Sequence, residues 1–420
     1  MTCFNRSVGL RDWRWVAAFG VILYLSGAFI FSARYGHLAT QHLLQAVGVP
    51  ALEYPFMDMR GVAGWCDASK LGKDPATEQT WIMLPDGRPH LNFVMNYSPL
   101  VLAFGNAGLS GMHVVAFSLL LIFLFLVSLW FLCPKCTPKE ALLWLLLVCS
   151  PCSVLVMERA NLDMLLFVLL VAALLVRKHP LLEAGLILSA ALLKFFPIGA
   201  LVSLWREGGR RNRLAVLLAG VVFAAFLYYL KSRLSAIGGS LTGQYQSSFG
   251  CGVVADLFHH NGTLSDSAYA MARYVMSWAG VVWVMLGCLA GLCSKGSSVQ
   301  KIPNGDLHAF FLTAPIMLGL FLLGNQMDYK WIFFLPMVPA VLLLQKSGCR
   351  FDEVVSKFWI GGVLAYSYWT FFSDEGSLRN SLLKQLLMWG IMILTAFLCG
   401  RLWKRPEHDA ILPAKPMGSV

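Results

Sequence analysis

Apolar residues run along this chain in long, nearly unbroken blocks. Val114 to Cys133 carries no charge, and neither does Leu307 to Gln326. A helix needs roughly 20 apolar residues to cross a bilayer core. The pattern predicts an all-α, polytopic transmembrane fold. Ten full spans are expected, at 14–33, 112–133, 140–157, 161–177, 213–231, 271–293, 307–324, 330–345, 357–373 and 382–402. The run after Arg14 is long enough to span, and no small-x-small cleavage site ends it. It therefore reads as the first span rather than a cleaved signal. With no internal repeat or low-complexity linker, residues 1–405 read as one membrane domain and 406–420 as a flexible cytoplasmic tail.

The block Leu181 to Trp205 departs from this pattern. It is apolar and about one crossing long. Yet Arg177 and Lys178 flank one end, and Arg206, Arg210, Arg211 and Arg213 flank the other. Two short helices meeting at Lys194-Phe-Phe-Pro197 would keep both basic ends on one side. Proline disfavours helix in the residue before it, which fits a break there. One kinked helix, with a basic loop outside, is the other arrangement. The hairpin is favoured because every downstream loop then obeys the charge rule.

Composition agrees with the membrane class: 58% of the residues are hydrophobic and only 13% charged, against about a quarter charged in soluble domains. The net charge of +11 would point to nucleic acid in a soluble protein. Here the basic residues fall in short loops, on one side if the N-terminus is inside, which is the normal orientation signal. Nucleic acid is not an expected partner. Most of the 11 Cys sit in apolar runs, where they act as small hydrophobes. Cys133 and Cys136 form a CxxC without a second pair, a weak zinc signal. Cys66 and Cys251 fall in loops expected outside, where a disulfide between them is an open option.

The same topology gathers the polar turns on one face: the first loop 34–111, Glu158 to Asp163, the tip at Lys194, the loop 232–270 and the turn Gly324 to Lys330. In the first loop, Tyr54-Pro-Phe-Met-Asp58-Met-Arg60 opens a segment that reads as a helix over 56–70. Asp58, Val62, Trp65 and Ser69 then share one face. A carboxylate beside apolar and aromatic groups has the makings of a general base; an ordinary solvated loop acid is the plainer reading. Further on, Tyr97-Ser-Pro99 reads as a turn into a membrane-edge helix. Glu158-Arg159-Ala-Asn161-Leu-Asp163 puts four polar groups at a tight turn between apolar helices. Such groups are costly unless paired or functional, although Asn161 also suits a helix cap. Lys194 lies about a dozen residues from either basic flank. A lysine there needs an anion, either Asp163 or Asp328 within the chain or a ligand phosphate. Asp328 and Lys330 either pair with each other or line the same cavity as Lys194. His259 and His260, beside Asp256, suit hydrogen bonding better than metal ligation.

Taken in order, the first-loop Asp58, the Arg-Ala-Asn-Leu-Asp turn at 159–163, the Leu-Lys-x-x-Pro tip at 193–197 and the Met-Asp-Tyr-Lys turn at 327–330 resemble polytopic GT-C glycosyltransferases. The resemblance is to the bacterial polyprenyl-phosphate-mannose-dependent alpha-mannosyltransferases and covers roughly residues 14–345. It implies inverting transfer, mannosyl in type, from a polyprenyl-phosphate-sugar donor to a lipid, glycan or protein acceptor. It implies an active site on the external, periplasmic face of the cell's inner (plasma) membrane, with both termini cytoplasmic and membrane lipids around it. By the resemblance, Asp58 is the catalytic base and Lys194 contacts the donor phosphate. Arg159, Asn161, Asp163, Asp328, Lys330, Arg60 and His259 are the further substrate-site candidates. No cofactor and no metal site is expected. The family often has Gly where this chain has Ala160 and Arg where it has Lys330; lysine keeps the charge but loses bidentate geometry. A transporter or lipid flippase is the alternative, since transporters also build broken helices and buried charges into their cores. No second broken helix pairs with the first here, and the long first loop is unusual for that class.

Overall fold

The computed structural model describes residues 12–92, 95, 97–232, 248–294, 302–323, 326–372 and 377–403. The expected tail at 406–420, much of the 232–270 loop and the first two residues of the Gly324–Lys330 turn lie outside the described residues.

The protein is an all-α, multi-pass membrane protein. Among the described residues, six helices are long and apolar enough to cross a bilayer: Arg14–Tyr35, Gly111–Leu132, Arg210–Tyr229, Asp266–Cys293, Asn304–Leu322 and Leu378–Trp403. A bent pair, Pro138–Val148 and Pro151–Arg159, makes a seventh if it counts as one span. The expected ten spans are not confirmed by this count. Helix Asp163–Leu175 has 13 residues and so reaches only about 20 Å at 1.5 Å per residue, short of the roughly 30 Å hydrocarbon core. The expected span at 330–345 is a 3-10 segment, Asp328–Met337, followed by a short helix, Val338–Gln345. Pro336 and Pro339 both fall in that stretch, and each removes a backbone donor.

Local signals set the boundaries. Thr137 accepts a hydrogen bond from the Glu140 N–H while the Glu140 side chain returns to the Thr137 N–H, a full capping box. Lys346 pairs with the same Glu140 at 2.7 Å. Ser150 and Ser265 cap the helices that follow them. Helix Asn304–Leu322 forms the buried spine of the molecule. The helices Asp266–Cys293 and Leu378–Trp403 approach so closely that a Cβ on Gly291 would lie 2.1 Å from the Phe397 carbonyl oxygen. Small residues allow this approach between membrane helices. At the end of the same pair, Arg401 forms an ion pair with Asp352 at 3.0 Å, both about 1% exposed.

Segment 181–205 is a hairpin. Helix Pro180–Leu193 ends at Lys194, which is extended, and the chain returns through a 3-10 turn, Phe196–Ala200, into helix Leu201–Glu207. Ser203 on the returning leg donates to Glu183 on the outgoing leg at 3.5 Å, so both basic flanks lie at the same end. Two small antiparallel ribbons complete the fold. β1 (Trp81–Met83) pairs with β2 (Pro89–Leu91) in the first loop. β3 (Ser248–Phe249) pairs with β4 (Gln326–Met327). Cys66 and Cys251 are free thiols. Cys66 packs on the carbonyls of Val101 and Leu102, and Cys251 on Ser277 and the Leu322 carbonyl, so no disulfide joins them.

Candidate functional site

Three segments distant in sequence converge on Asp58. The first-loop helix runs Met57–Lys70, with Asp58 in its first turn. Its cap, Phe56, has φ 64° and donates its N–H to the Glu158 carbonyl at 2.7 Å. Helix Pro151–Arg159 ends at Ala160, φ 47°. There the Ala160 N–H reaches Met157 O and the Asn161 N–H reaches Val156 O, the paired bonds of a Schellman stop. Glycine is the usual residue at such a position. Among the described residues, Phe56 and Ala160 alone combine a side chain beyond glycine's with positive φ. Both adjoin this cluster, and strained backbone of this kind gathers at functional sites.

Asn161 organises the cluster. Its Nδ2 donates to Asp58 Oδ2 at 2.6 Å. Its Oδ1 accepts from the Asp163 N–H at 2.8 Å and from the Tyr97 hydroxyl at 3.5 Å. Tyr97 in turn accepts from Lys194 Nζ at 3.3 Å. Lys194 pairs with Asp163 at 2.8 Å. Asp58 and Lys194 are thus ends of one hydrogen-bonded series, Asp58–Asn161–Tyr97–Lys194. Burial shifts two of its groups. The Tyr97 phenol is pushed well above its ordinary range by burial, so it remains a neutral donor. Burial also raises the Asp58 carboxyl, against the opposing pull of Arg159 and Asn161. Arg159 lies 3.8 Å from Asp58 Oδ1, beyond a hydrogen bond. That oxygen therefore faces a cation without being tied to it.

The ammonium groups share an aromatic wall. Lys194 Nζ lies 4.4 Å from the Tyr97 ring centroid and 5.8 Å from that of Phe196. Lys330 Nζ lies 5.4 Å from the same Phe196 ring and donates to Gln326 Oε1. Aromatic faces attract cations at this range. Lys194 spends two N–H donors on Asp163 and Tyr97 and has a third.

The remaining sequence candidates divide. Arg159 joins the cluster, pairing with Glu158 at 3.2 Å and donating to the Pro50 carbonyl. Lys330 adjoins it through Phe196. Arg60 does not join: its Nε donates to Pro55 O in its own loop. Asp328 pairs with Lys384 and accepts from the Tyr366 hydroxyl at 2.5 Å, rather than with Lys330 or Lys194. His259 stacks on Tyr269 with ring centroids 4.3 Å apart, and its Nδ1 faces the Leu264 carbonyl at 3.2 Å. There it lies beside a separate network in which Arg273 donates to Tyr269 and Tyr269 to Asp256.

Sequence reasoning missed Tyr97 as a contact residue and Phe196 altogether. Aromatic residues are ordinary in apolar segments, so neither carried a signal. It also missed Lys384, although a lysine inside an apolar run is the signal that singled out Lys194. Among the described residues, no group of three or more His, Cys, Asp or Glu is placed to hold a metal ion. No protein-family model matches this chain, and searches of curated proteins and of solved structures give no match.

Proposed function

We propose that this chain is an inverting glycosyltransferase of the external membrane face, moving a mannosyl-type sugar from a polyprenyl-phosphate donor to an acceptor hydroxyl. One observation carries the reading: the hydrogen-bonded series from the Asp58 carboxylate to the Lys194 ammonium. Transfer from a lipid phosphate needs a base for the acceptor and a cation for the leaving group.

In this reading Asn161 holds Asp58 Oδ2, and Oδ1 takes the proton of the acceptor hydroxyl. The acceptor oxygen attacks the anomeric carbon from the face opposite the phosphate. The bond from that carbon to the phosphate oxygen breaks, and its electron pair leaves with the polyprenyl phosphate. The third N–H of Lys194 meets the charge that develops there. Lys330, across Phe196, adds a second positive charge to the same side. Arg159 keeps the Asp58 region from accumulating negative charge. The lipid tail explains why the site is built at the edge of apolar helices, where a membrane-borne donor arrives sideways.

The test is sugar transfer by the purified protein from polyprenyl-phosphate mannose to a hydroxyl acceptor. Free polyprenyl phosphate should appear one-for-one with transferred sugar. Asp58→Asn should lower turnover roughly 10²–10⁴-fold, the usual range for losing a positioned base. Undiminished turnover in that variant removes Asp58 as the base. Absence of transfer from any polyprenyl-phosphate sugar removes the class.

A further inference from the structure

A second buried polar cluster lies at the other end of the hairpin from Lys194. His308 stands in the first turns of the spine helix Asn304–Leu322 and is 1% exposed. Its Nε2 meets Glu183 Oε1 at 2.5 Å and its Nδ1 meets Glu207 Oε1 at 2.7 Å. Glu183 belongs to the outgoing leg, Pro180–Leu193, and Glu207 ends the returning leg, Leu201–Glu207. One imidazole therefore grips both legs at the base of the hairpin. A ring with carboxyl oxygens at both nitrogens is placed to donate from both, as an imidazolium does. Bonds of that type are the stronger, charge-assisted kind. Arg177 and Arg206 stand near Glu207, and Arg177 also lies against Gly305 on the spine. The base is thus a compact set of opposite charges tying three helices together.

The same spine also supports the hairpin near its tip. A Cβ on Gly199 would lie 3.5 Å from the Pro315 and Ile316 backbone, so the turn after Lys194 rests directly on the spine. From the tip, Lys194 reaches Asp163 and Tyr97. The hairpin is held at two points along one helix, and the base is the polar, directional one.

We infer that His308 is a positioning residue: by locking Glu183 to Glu207 it fixes the register of the two legs, and so the place of the Lys194 ammonium. The effect on catalysis rests on the glycosyl-transfer reading above; the effect on the hairpin does not. Loss of the imidazolium frees the legs to slide, and the tip samples positions away from Asp163 and Tyr97.

Hydrogen–deuterium exchange of the purified full chain, read over residues 191–201, tests this directly. His308→Ala and Glu207→Ala should each speed exchange at the tip by about tenfold, the loss expected for a bond to a charged group. Glu207→Gln keeps an acceptor for His308 and should restore most of the protection. Asp352→Asn, which uncharges one member of a buried ion pair on other helices, should leave the tip at its wild-type rate. With polyprenyl-phosphate mannose as donor, His308→Ala should raise KM several-fold and change kcat little. Should His308→Ala fail to fold, Glu207→Ala answers alone, since that side chain is 30% exposed. Wild-type exchange over 191–201 in Glu207→Ala, or in a folded His308→Ala, overturns the proposal. Faster tip exchange in a chain that transfers no sugar upholds the positioning role and overturns the glycosyl-transfer reading instead.

Discussion

Asp58 and Ala160 each make a quantitative claim. Ala160 holds φ 47° with its side chain fully buried, a backbone state that glycine adopts freely. Ala160→Gly should stabilise the protein by about 0.5–1 kcal/mol, since relief of the left-handed strain outweighs the added freedom of the unfolded chain. Thermal unfolding in detergent measures it. Asp58 is raised by burial, so the folded chain holds its proton more tightly than the unfolded chain does. Its contribution to stability is fully present below the ordinary carboxylate value near 4 and is lost as pH rises through the shifted one. Asp58→Asn should therefore match the wild type near pH 4 and become relatively more stable as pH rises, followed by unfolding temperature from pH 4 to 8. The acid limb of kcat/KM should lie above the ordinary carboxylate range for the same reason. Asn161, Asp163 and Lys194 were legible in the sequence because a polar group at a tight turn or inside an apolar run needs a partner, whereas Asp58 stood out only by its helical face and by the resemblance. Their partners were less so. Lys194 had two candidate carboxylates, and the choice of Asp163 over Asp328 depends on Lys384, a residue 56 positions beyond Asp328.

At the scale of elements, the hairpin was readable because charge at both of its ends conflicts with a single crossing. The number of spans was not readable. Apolar residues buried in protein and apolar residues facing lipid have the same sequence signature. Spine helix Asn304–Leu322 is mostly buried, whereas Arg210–Tyr229 is mostly exposed, and no periodicity separated them. Helix pairing makes its own prediction. Gly291 and Gly400 fit against the Phe397 and Cys288 carbonyls, where a Cβ would come within about 2.1 Å. Gly291→Val should force the helices Asp266–Cys293 and Leu378–Trp403 apart and destabilise by at least 1–3 kcal/mol, the range for overpacking. A fall in the unfolding temperature of that variant, larger than for Gly390→Val, where a Cβ would meet open space, is the measurement.

The whole molecule has two polar ends. One carries the first loop, the 158–163 turn, the hairpin tip and the β4 ribbon; the other carries the hairpin base with its arginines. Basic loops favour the cytoplasm, and on that ground we propose the base inside and the Asp58 cluster outside. Cysteine at Lys73 should react with an impermeant maleimide on intact cells, and cysteine at Lys178 only after permeabilisation; the reverse pattern would invert the orientation. The central claim is that Asp58 and Lys194 serve one lipid-phosphate reaction in different roles. Steady-state transfer from polyprenyl-phosphate mannose, with donor concentration varied, tests it most directly. Asp58→Asn should lose kcat with donor KM little changed, and Lys194→Met should both lose kcat and raise donor KM, because the ammonium meets a phosphate that is charged in the bound donor and gains charge as it leaves. Wild-type kinetics in both variants would contradict the account.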